Sequence, residues 1–197
     1  MDSKEKMKAL LAASPDGTIT AARVTAEGLH RSLLQELVKS GEIYRYGRGL
    51  YVQSSAWEDD FSLLQRRYGR GIYSHDTALY LLGYSDRTPA RYTMTFPKGC
   101  NAPSLKQELI NVRRVVPKLY SLGVTELKSL CGNPIRAYDL ERTLCDILRG
   151  EGSDIQIVVP AMQKYAASQG KDLNKLMQYA KKLRVAPKVL SFMQALL

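Results

Sequence analysis

The sequence predicts an α+β fold, in which a winged helix-turn-helix precedes a mixed α/β domain with a small sheet and a C-terminal helical bundle. Three observations support this fold class. Residues 28–52 read GLHRSLLQELVKSGEIYRYGRGLYV: an amphipathic helix, a glycine stop and a short basic hairpin, the order of a recognition helix and its wing. From residue 57 short apolar strands follow, two of them next to prolines. From residue 155 to the end, helical periodicity is continuous, which is typical of a helical bundle.

Caps, turn residues and apolar periodicity place the elements of the first domain. Thr20 is suited to cap a short helix that Gly28 ends, and a third helix begins at His30 or Arg31 and ends at Gly41. The other elements predicted here are a helix over 3–13, a turn over 14–17, a strand over 18–20, a helix over 21–26, and hairpin strands over 42–46 and 50–52. The residues directly after the hairpin are interpreted as the end of the first domain. We therefore expect two domains, 1–54 and 55–197.

In the second domain, short strands precede a run of helices. Ser74 is the expected N-cap of one helix, and Pro97 and Pro117 each close a strand. The predicted helices cover 59–68, 76–82, 139–148, 155–168, 172–183 and 186–196, and the predicted strands cover 92–96, 112–116, 124–127 and 135–137.

The third helix of the first domain has an apolar face, which we expect to be buried, and a polar face suited to DNA. Glutamine can pair with adenine, and arginine with guanine or with a phosphate. Glu36 on the same helix favours the alternative of an ordinary solvated face, and winged helices also serve as protein-interaction modules. The apolar face consists of Leu33, Leu34, Leu37 and Val38. The candidate DNA-binding residues are Arg31, Ser32, Gln35 and Lys39 on this helix, Arg45 and Arg48 on the wing, and Arg23 on the preceding helix.

Positive charge is concentrated outside the winged helix. The chain has 197 residues and a formal net charge of +10, which favours a polyanionic partner. Residues 1–53 hold 8 Lys or Arg and 6 Asp or Glu, against 21 and 13 in the remainder. Two clusters stand out: Arg113, Arg114 and Lys118, and then Lys181, Lys182, Arg184 and Lys188. Cations are favoured near a helix C-terminus, which suffices to explain Lys181 and Lys182. The alternative for the clusters is a second surface for flanking DNA, RNA or an acidic partner.

Catalysis, cofactors and metals are not expected. Ser74, His75 and Asp76 are adjacent in sequence, and adjacent residues cannot adopt the mutual geometry of a catalytic triad. The segment 152–154 begins like a nucleotidyltransferase signature, but no paired DxD follows it to hold metal ions. The three cysteines and two histidines lack zinc-site spacing. Since there is also no signal-peptide pattern or membrane-length apolar run, we expect a cytoplasmic protein.

Three stretches resemble the AbiEi antitoxins of type IV toxin–antitoxin systems, which are tied to abortive infection against phage. The stretch HRSLLQELVKSGEIYRYGRGLYV, over 30–52, is similar to the family's winged helix. YSHDTALYLLGYSDRTPARYTMTFPKGCN, over 73–101, resembles the opening of its antitoxin domain, and IRAYDLERTLCDILR, over 135–149, its central helix motif. The first motif is shared by many regulators, whereas the other two are more specific.

The resemblance implies two roles and no enzymatic activity. The winged helix would bind inverted repeats in the promoter of its own operon. The residues that the resemblance assigns to this role are Arg31, Ser32, Gln35 and Lys39 on the helix and Arg45 and Arg48 on the wing. The C-terminal domain would counter a nucleotidyltransferase toxin encoded next to it, without needing a stable direct complex. Paired repeats imply two protomers per promoter of a protein that is a monomer in solution.

Two alternatives stay open. One is a winged-helix regulator of other genes whose second domain senses a ligand or a partner. The other is a nucleic-acid-processing enzyme that docks through the winged helix, which the lack of a paired acidic metal motif disfavours.

Overall fold

The computed structural model describes residues 2–14, 16–56, 59–100 and 110–196. The chain forms two compact units, Met1–Gly69 with Lys128–Asn133, and Arg70–Leu127 with Pro134–Leu197. Helices and sheets occur in both units, which confirms the α+β fold class. The division into functional domains at 54 and 55 stays a prediction.

The first unit is a winged helix extended by one further helix. Its three-stranded sheet has the order β1-β3-β2, with both strand pairs antiparallel. The elements are α1 (Ser3–Ala12), β1 (Thr18–Thr20), α2 (Ala21–Ala26), α3 (Ser32–Lys39), β2 (Ile43–Gly47), β3 (Leu50–Gln53) and α4 (Asp60–Arg67). These bounds confirm the predicted helices and strands of the region to within two residues. The predicted turn over 14–17 includes residue 15, which lies outside the described residues.

Helix α1 begins at a capping box. The side chain of Asp2 accepts a hydrogen bond from the backbone N–H of Ser3, and the carboxylate of Glu5 accepts one from the backbone N–H of Asp2. The inward face of α1 buries Met7 and Leu11 in a core shared with all three helices of the winged helix and with β1 and β2. This packing holds the helices against the small sheet.

The apolar face predicted for α3 is only partly correct. Leu34 is buried and Leu33 and Leu37 are half-buried, but Val38 is 38% exposed. Val38 lies at the edge of the apolar stripe, and α1 packs along the opposite edge, beside Leu33 and Leu37. The core therefore covers Leu34 and leaves Val38 in contact with water.

The second unit combines a five-stranded sheet with a helical bundle. The strand order is β6-β5-β4-β8-β7, in which β4 pairs antiparallel with β5 and parallel with β8, and β5 pairs parallel with β6. The elements are β4 (Ile72–Tyr73), α5 (His75–Leu81), β5 (Tyr92–Pro97), β6 (Ile110–Val115), α6 (Pro117–Tyr120), β7 (Val124–Lys128), β8 (Pro134–Tyr138), α7 (Leu140–Ile147), α8 (Ile155–Ala167), α9 (Leu173–Leu183) and α10 (Ala186–Leu196).

Two short elements were not predicted. Strand β4 and helix α6 span two and four residues, which is too short for a periodic apolar pattern to show. Pro117 occupies the first turn of α6, so it starts a helix as well as following a strand. The predicted C-terminal bundle is confirmed: α5, α7, α8, α9 and α10 enclose one apolar core. No helix in the described part of the chain is long and apolar enough to cross a membrane.

Candidate nucleic-acid interface

Helix α2 and the turn after it set the position of α3. The hydroxyl of Thr20 accepts a hydrogen bond from the backbone N–H of Arg23 at 3.2 Å, which confirms Thr20 as the N-cap. The backbone N–H of Leu29 donates to the carbonyl of Val24 at 3.0 Å, and the Leu29 side chain is buried. The turn between the helices is therefore anchored in the core.

The N-terminus of α3 is stabilised by a histidine. Arg31 occupies the N-cap position but makes no side-chain cap. Instead, the backbone N–H of Ser32 donates to Nδ1 of His30 at 3.3 Å, and the same nitrogen lies 2.8 Å from the Ser32 hydroxyl. The imidazole thus takes the place of a serine-type cap, and the helix begins at Ser32.

The outward face of α3 presents polar side chains to solvent. Ser32, Gln35 and Lys39 are exposed and follow one another at spacings of three and four residues. Neither Gln35 nor Lys39 has a hydrogen-bond or ion-pair partner within the described ranges. Arg31 is also exposed, and its Nε donates to the Thr25 hydroxyl at 2.9 Å. This contact orients the guanidinium at the start of the helix.

Glu36 does not interrupt that face. Its carboxylate pairs with the ammonium of Lys4 on α1 at 3.3 Å, and both side chains are exposed. An exposed pair of this kind contributes little to stability. It does place the negative charge of α3 on the side of α1, so Glu36 gives less support to an ordinary solvated face than the sequence suggested.

The wing carries two exposed arginines. Arg45 lies on β2, and its Nε donates to the carbonyl of Gly47 at 3.3 Å, next to a register shift between Arg45 and Gly47. Arg48 lies in the turn between β2 and β3, and Arg23 is exposed on α2. All seven predicted DNA-binding side chains are therefore exposed in the first unit. Their contact with DNA stays a prediction.

Helix α4 supports the wing, which no sequence pattern indicated. The guanidinium of Arg67 donates to the carbonyl of Tyr46 at 3.1 Å and lies 6.0 Å from the centre of its ring. A Cβ at Gly47 would lie 3.1 Å from Cδ of Arg67, so the small residue allows this approach. The two partners are about twenty residues apart in the chain, and no local pattern links them.

A second contact attaches α4 to the turn before β1. Arg66 and Asp16 form an ion pair at 2.5 Å, in which the Asp16 carboxylate is buried. Burial works to raise the pKa of Asp16, but hydrogen bonds from Thr18 and Ser14 and the charge of Arg66 lower it overall. The carboxylate therefore stays ionised and holds the turn together.

The two basic clusters of the second unit are in different situations. Arg113, Arg114 and Lys118 are exposed on or after β6, which is an edge strand of the sheet. Lys181 and Lys182 are exposed in the last turn of α9, where cations are favoured, and Arg184 is its left-handed C-cap with φ 61°.

Lys188 differs from the other members because its side chain has backbone partners. Its ammonium donates to the carbonyl of Leu148 at 2.9 Å and to that of Gly150 at 3.5 Å. It therefore stabilises the segment after α7. No hydrogen bond or ion pair among the described residues joins one basic cluster to the other, and a second polyanion-binding surface stays a prediction.

Ser74 occupies the N-cap position of α5 as predicted, but its hydroxyl makes no capping hydrogen bond. The hydroxyl of this buried serine instead accepts a hydrogen bond from that of Thr95 on β5 at 2.9 Å and lies 3.1 Å from Nδ1 of His75. Asp76 accepts a hydrogen bond from the hydroxyl of Ser153. Since the aspartate is bonded elsewhere, the three adjacent residues do not form a relay, and within the described ranges no cluster of His, Cys, Asp and Glu could hold a metal ion.

Comparisons with known proteins agree with this architecture. No match is found among curated proteins. The chain is similar in fold to the crystal structure of the RV2827C protein from Mycobacterium tuberculosis, with a TM-score of 0.61 and 18% sequence identity over 98% of this chain and 80% of that chain. Residues 5–52 match the family model described as transcriptional regulator, AbiEi antitoxin. Over these residues the winged helix is similar to the AbiEi antitoxin family of transcriptional regulators.

Proposed function

We propose that this protein is a cytoplasmic antitoxin and transcriptional autorepressor. Its winged helix binds inverted repeats in its own promoter, and residues 55–197 counter a nucleotidyltransferase toxin encoded beside it. The observation that carries the DNA-binding role is the outward face of α3, where Ser32, Gln35 and Lys39 are exposed at helical spacing. The family match over 5–52 supports both the regulatory and the antitoxin role.

The candidate residues divide into those that read bases and those that bind phosphates. Arg31 is the N-cap residue of α3 and Gln35 lies in its first half, the end of a recognition helix that contacts base edges. Arginine and glutamine form the bidentate pairs that distinguish guanine and adenine in the major groove. Arg23, Arg45 and Arg48 lie outside α3 and are suited to the phosphate backbone, which gives affinity without sequence information.

Promoter binding tests the first role. In fluorescence anisotropy with a promoter fragment carrying the inverted repeats, Arg31→Ala and Gln35→Ala should each weaken binding by roughly tenfold or more, because a bidentate base contact is worth about 1–3 kcal/mol. Lys8→Ala is a matched control, since Lys8 is exposed on α1 outside the proposed face. Equal affinity of all three variants and the wild type would refute the assignment of α3.

Stoichiometry is the next part of the proposal. We expect a monomer in free solution and two protomers on one promoter, because inverted repeats present two equivalent half-sites. Sedimentation of the free protein and of its complex with DNA measures both states. A single protomer on an intact pair of repeats would contradict this arrangement.

Co-expression with the neighbouring gene tests the antitoxin role. The full-length Arg31→Ala/Gln35→Ala double variant should restore growth as well as the wild type, since toxin neutralisation is assigned to residues 55–197. Protein levels are matched by expressing both from a foreign promoter. A double variant that is present at equal level and fails to protect would overturn this division of roles.

The same experiment separates the alternative function. A winged-helix regulator of other genes would leave growth unaffected by the neighbouring gene and would bind promoters elsewhere.

We also propose that neutralisation does not depend on a stable complex, so antitoxin and toxin should elute separately in gel filtration. Co-elution at micromolar concentration would show direct neutralisation instead.

A further inference from the structure

A basic cleft lies in the second unit, beside the start of α5. Its volume is about 200 Å³, and it opens to solvent between the edge of the sheet and the segment after α7. Its polar and charged lining residues are His75, Thr95, Arg113, Arg114, Asp146 and Arg149. Arg113 and Arg114 also belong to one of the basic clusters predicted from the sequence, but neither the comparisons nor the proposed function assigns a ligand to the cleft itself.

The sheet brings these residues together. His75 lies two residues after the end of β4, and β4 pairs with β5 so that Ile72 lies opposite Thr95. The parallel pairing of β5 with β6 places Arg113 opposite Thr95. Arg149 lies one residue after the C-cap of α7 and lines the cleft on the side away from the sheet. Four segments that are distant in sequence thus contribute to one cleft.

The backbone at His75 is strained. Its φ is 53°, in the left-handed region that residues other than glycine rarely adopt. Such conformations persist only where the surrounding structure enforces them, and they are concentrated at functional sites. Here the strain holds the imidazole in the cleft, with Nδ1 at 3.1 Å from the Ser74 hydroxyl.

The positive charge of the cleft is only partly balanced by the protein. The side chains of Arg113 and Arg149 form no ion pair or hydrogen bond with other residues in the described part of the chain. The carboxylate of Asp146 lines the cleft, but it is already paired with the buried guanidinium of Arg142 at 3.0 Å. Burial raises the pKa of Asp146 to about 6, while the charges of Arg142, Arg149 and Arg113 oppose this rise. A single carboxylate that already pairs with Arg142 cannot balance Arg113 and Arg149 as well, so the cleft keeps a net positive charge.

The effect of this charge is visible at His75. Burial, and then the charges of Arg113, Arg142 and Arg149, lower the pKa of the imidazole to about 3. A neutral imidazole surrounded by cations is what the cleft contains when no anion is bound. A bound anion would relieve the repulsion among the arginines and gain hydrogen bonds from them.

We infer that this cleft binds a phosphate group, with the guanidinium groups of Arg113 and Arg149 as its principal ligands. Arginine guanidinium groups match the geometry of phosphate oxygens and bind them through paired hydrogen bonds. The cleft is smaller than the roughly 300 Å³ at the lower end of whole-ligand pockets, so it holds a phosphate and leaves the rest of a larger molecule outside. The inference is independent of promoter binding and goes beyond the antitoxin role.

Histidine NMR on the full-length protein tests this directly. The chain has two histidines, so His30 in the first unit is an internal control for His75. Inorganic phosphate is titrated at constant ionic strength against sodium chloride. We expect a saturable shift of the His75 resonance with the His30 resonance unchanged. Parallel, non-saturating shifts of both histidines would overturn the inference, because they would indicate unspecific anion screening.

Charge-neutral variants identify the ligands. Arg113→Gln and Arg149→Gln should each weaken phosphate binding at least tenfold, whereas Lys182→Gln should not change it. Lys182 is a matched control because it is an exposed cation of the same unit outside the cleft. Circular dichroism checks that the variants fold, and Arg113 is exposed on an edge strand where substitution is tolerated. Equal affinity of the arginine variants and the control would overturn the inference.

A second titration identifies the source of the phosphate. A nucleoside triphosphate is added in place of inorganic phosphate under the same conditions. A nucleotide is supported as the source if the triphosphate binds more tightly than inorganic phosphate and Arg113→Gln weakens both by the same factor. Free phosphate is supported if the triphosphate binds equally tightly or more weakly. Triphosphate binding that is insensitive to both arginine variants would contradict a phosphate site in this cleft.

Discussion

Arg142 and Asp146 form a buried ion pair one helical turn apart on α7, with 3.0 Å between Nε and Oδ2. The guanidinium also donates from Nη1 to the carbonyls of Leu119 and Leu122, at 2.6 and 2.9 Å, and stacks 4.2 Å from the ring centre of Tyr138. The arginine is fully buried. It therefore joins the helix to the segment before β7 and to the sheet.

Removing this arginine should destabilise the second unit strongly. Arg142→Met leaves the buried carboxylate of Asp146 without its partner, and breaking a buried pair in this way costs about 3–5 kcal/mol. Urea unfolding measures the loss. The Arg142→Met/Asp146→Leu double variant should recover most of it, since neither charge remains buried. If the double variant is as unstable as the single one, the contacts with the carbonyls matter more than the ion pair.

Two glycines separate backbone strain from packing. Gly123 has φ 75°, and a Cβ there would lie 2.8 Å from Cβ of Arg142, whereas Gly83 has φ 72° and open space around it. Gly83→Ala should cost about 1–2 kcal/mol, the cost of a left-handed conformation. Gly123→Ala should cost about 1–3 kcal/mol more, because it also overpacks the core. Thermal unfolding of both variants measures this difference, and equal losses would show that the backbone near Gly123 yields.

His75 should make the stability depend on pH. Because its folded pKa of about 3 lies below the ordinary value of 6.5, the unfolded chain binds the additional proton between these values. The contribution of the neutral His75 imidazole to the free energy of unfolding is complete above about pH 6.5 and is lost as the pH falls towards 3. Between pH 7 and pH 5 the wild type should lose about 1–2 kcal/mol more than His75→Gln, allowing for the partial exposure of the ring.

The measurement is urea unfolding at both pH values in a buffer without phosphate. The difference between the two proteins cancels the carboxyl groups that titrate in both. Identical losses for wild type and His75→Gln would mean that the imidazole is protonated as easily in the folded chain as in the unfolded one.

The wing should contribute to DNA affinity through phosphates. Arg48→Ala is expected to weaken binding to promoter and unrelated DNA alike and to reduce the slope of log K against log salt by about 1. Gln35→Ala should weaken promoter binding more than unspecific binding, with little change in slope. Anisotropy titrations compare the two variants between roughly 50 and 200 mM salt, the range in which such contacts are screened. A sequence-dependent effect of Arg48→Ala would instead place this side chain on base edges.

Much of the first unit could be predicted from local pattern. The Thr20 cap, the spacing of Leu33, Leu34 and Leu37, and the glycines of the hairpin are signals within one or two turns of chain. Such signals predict helix and strand bounds well. They do not show how α4 contacts the wing, because Arg67 and Tyr46 meet only in the folded unit.

The candidate sites divide in the same way. The α+β class, the polar face of α3 and the excess of positive charge outside the winged helix could be predicted, since these depend on spacing and composition. The exposure of Val38, the hydrogen bond between Ser74 and Thr95 and the cleft that Arg113 and Arg149 line with His75 appear only in the folded chain. These outcomes depend on strand pairing and on packing between residues tens of positions apart, which local periodicity does not encode.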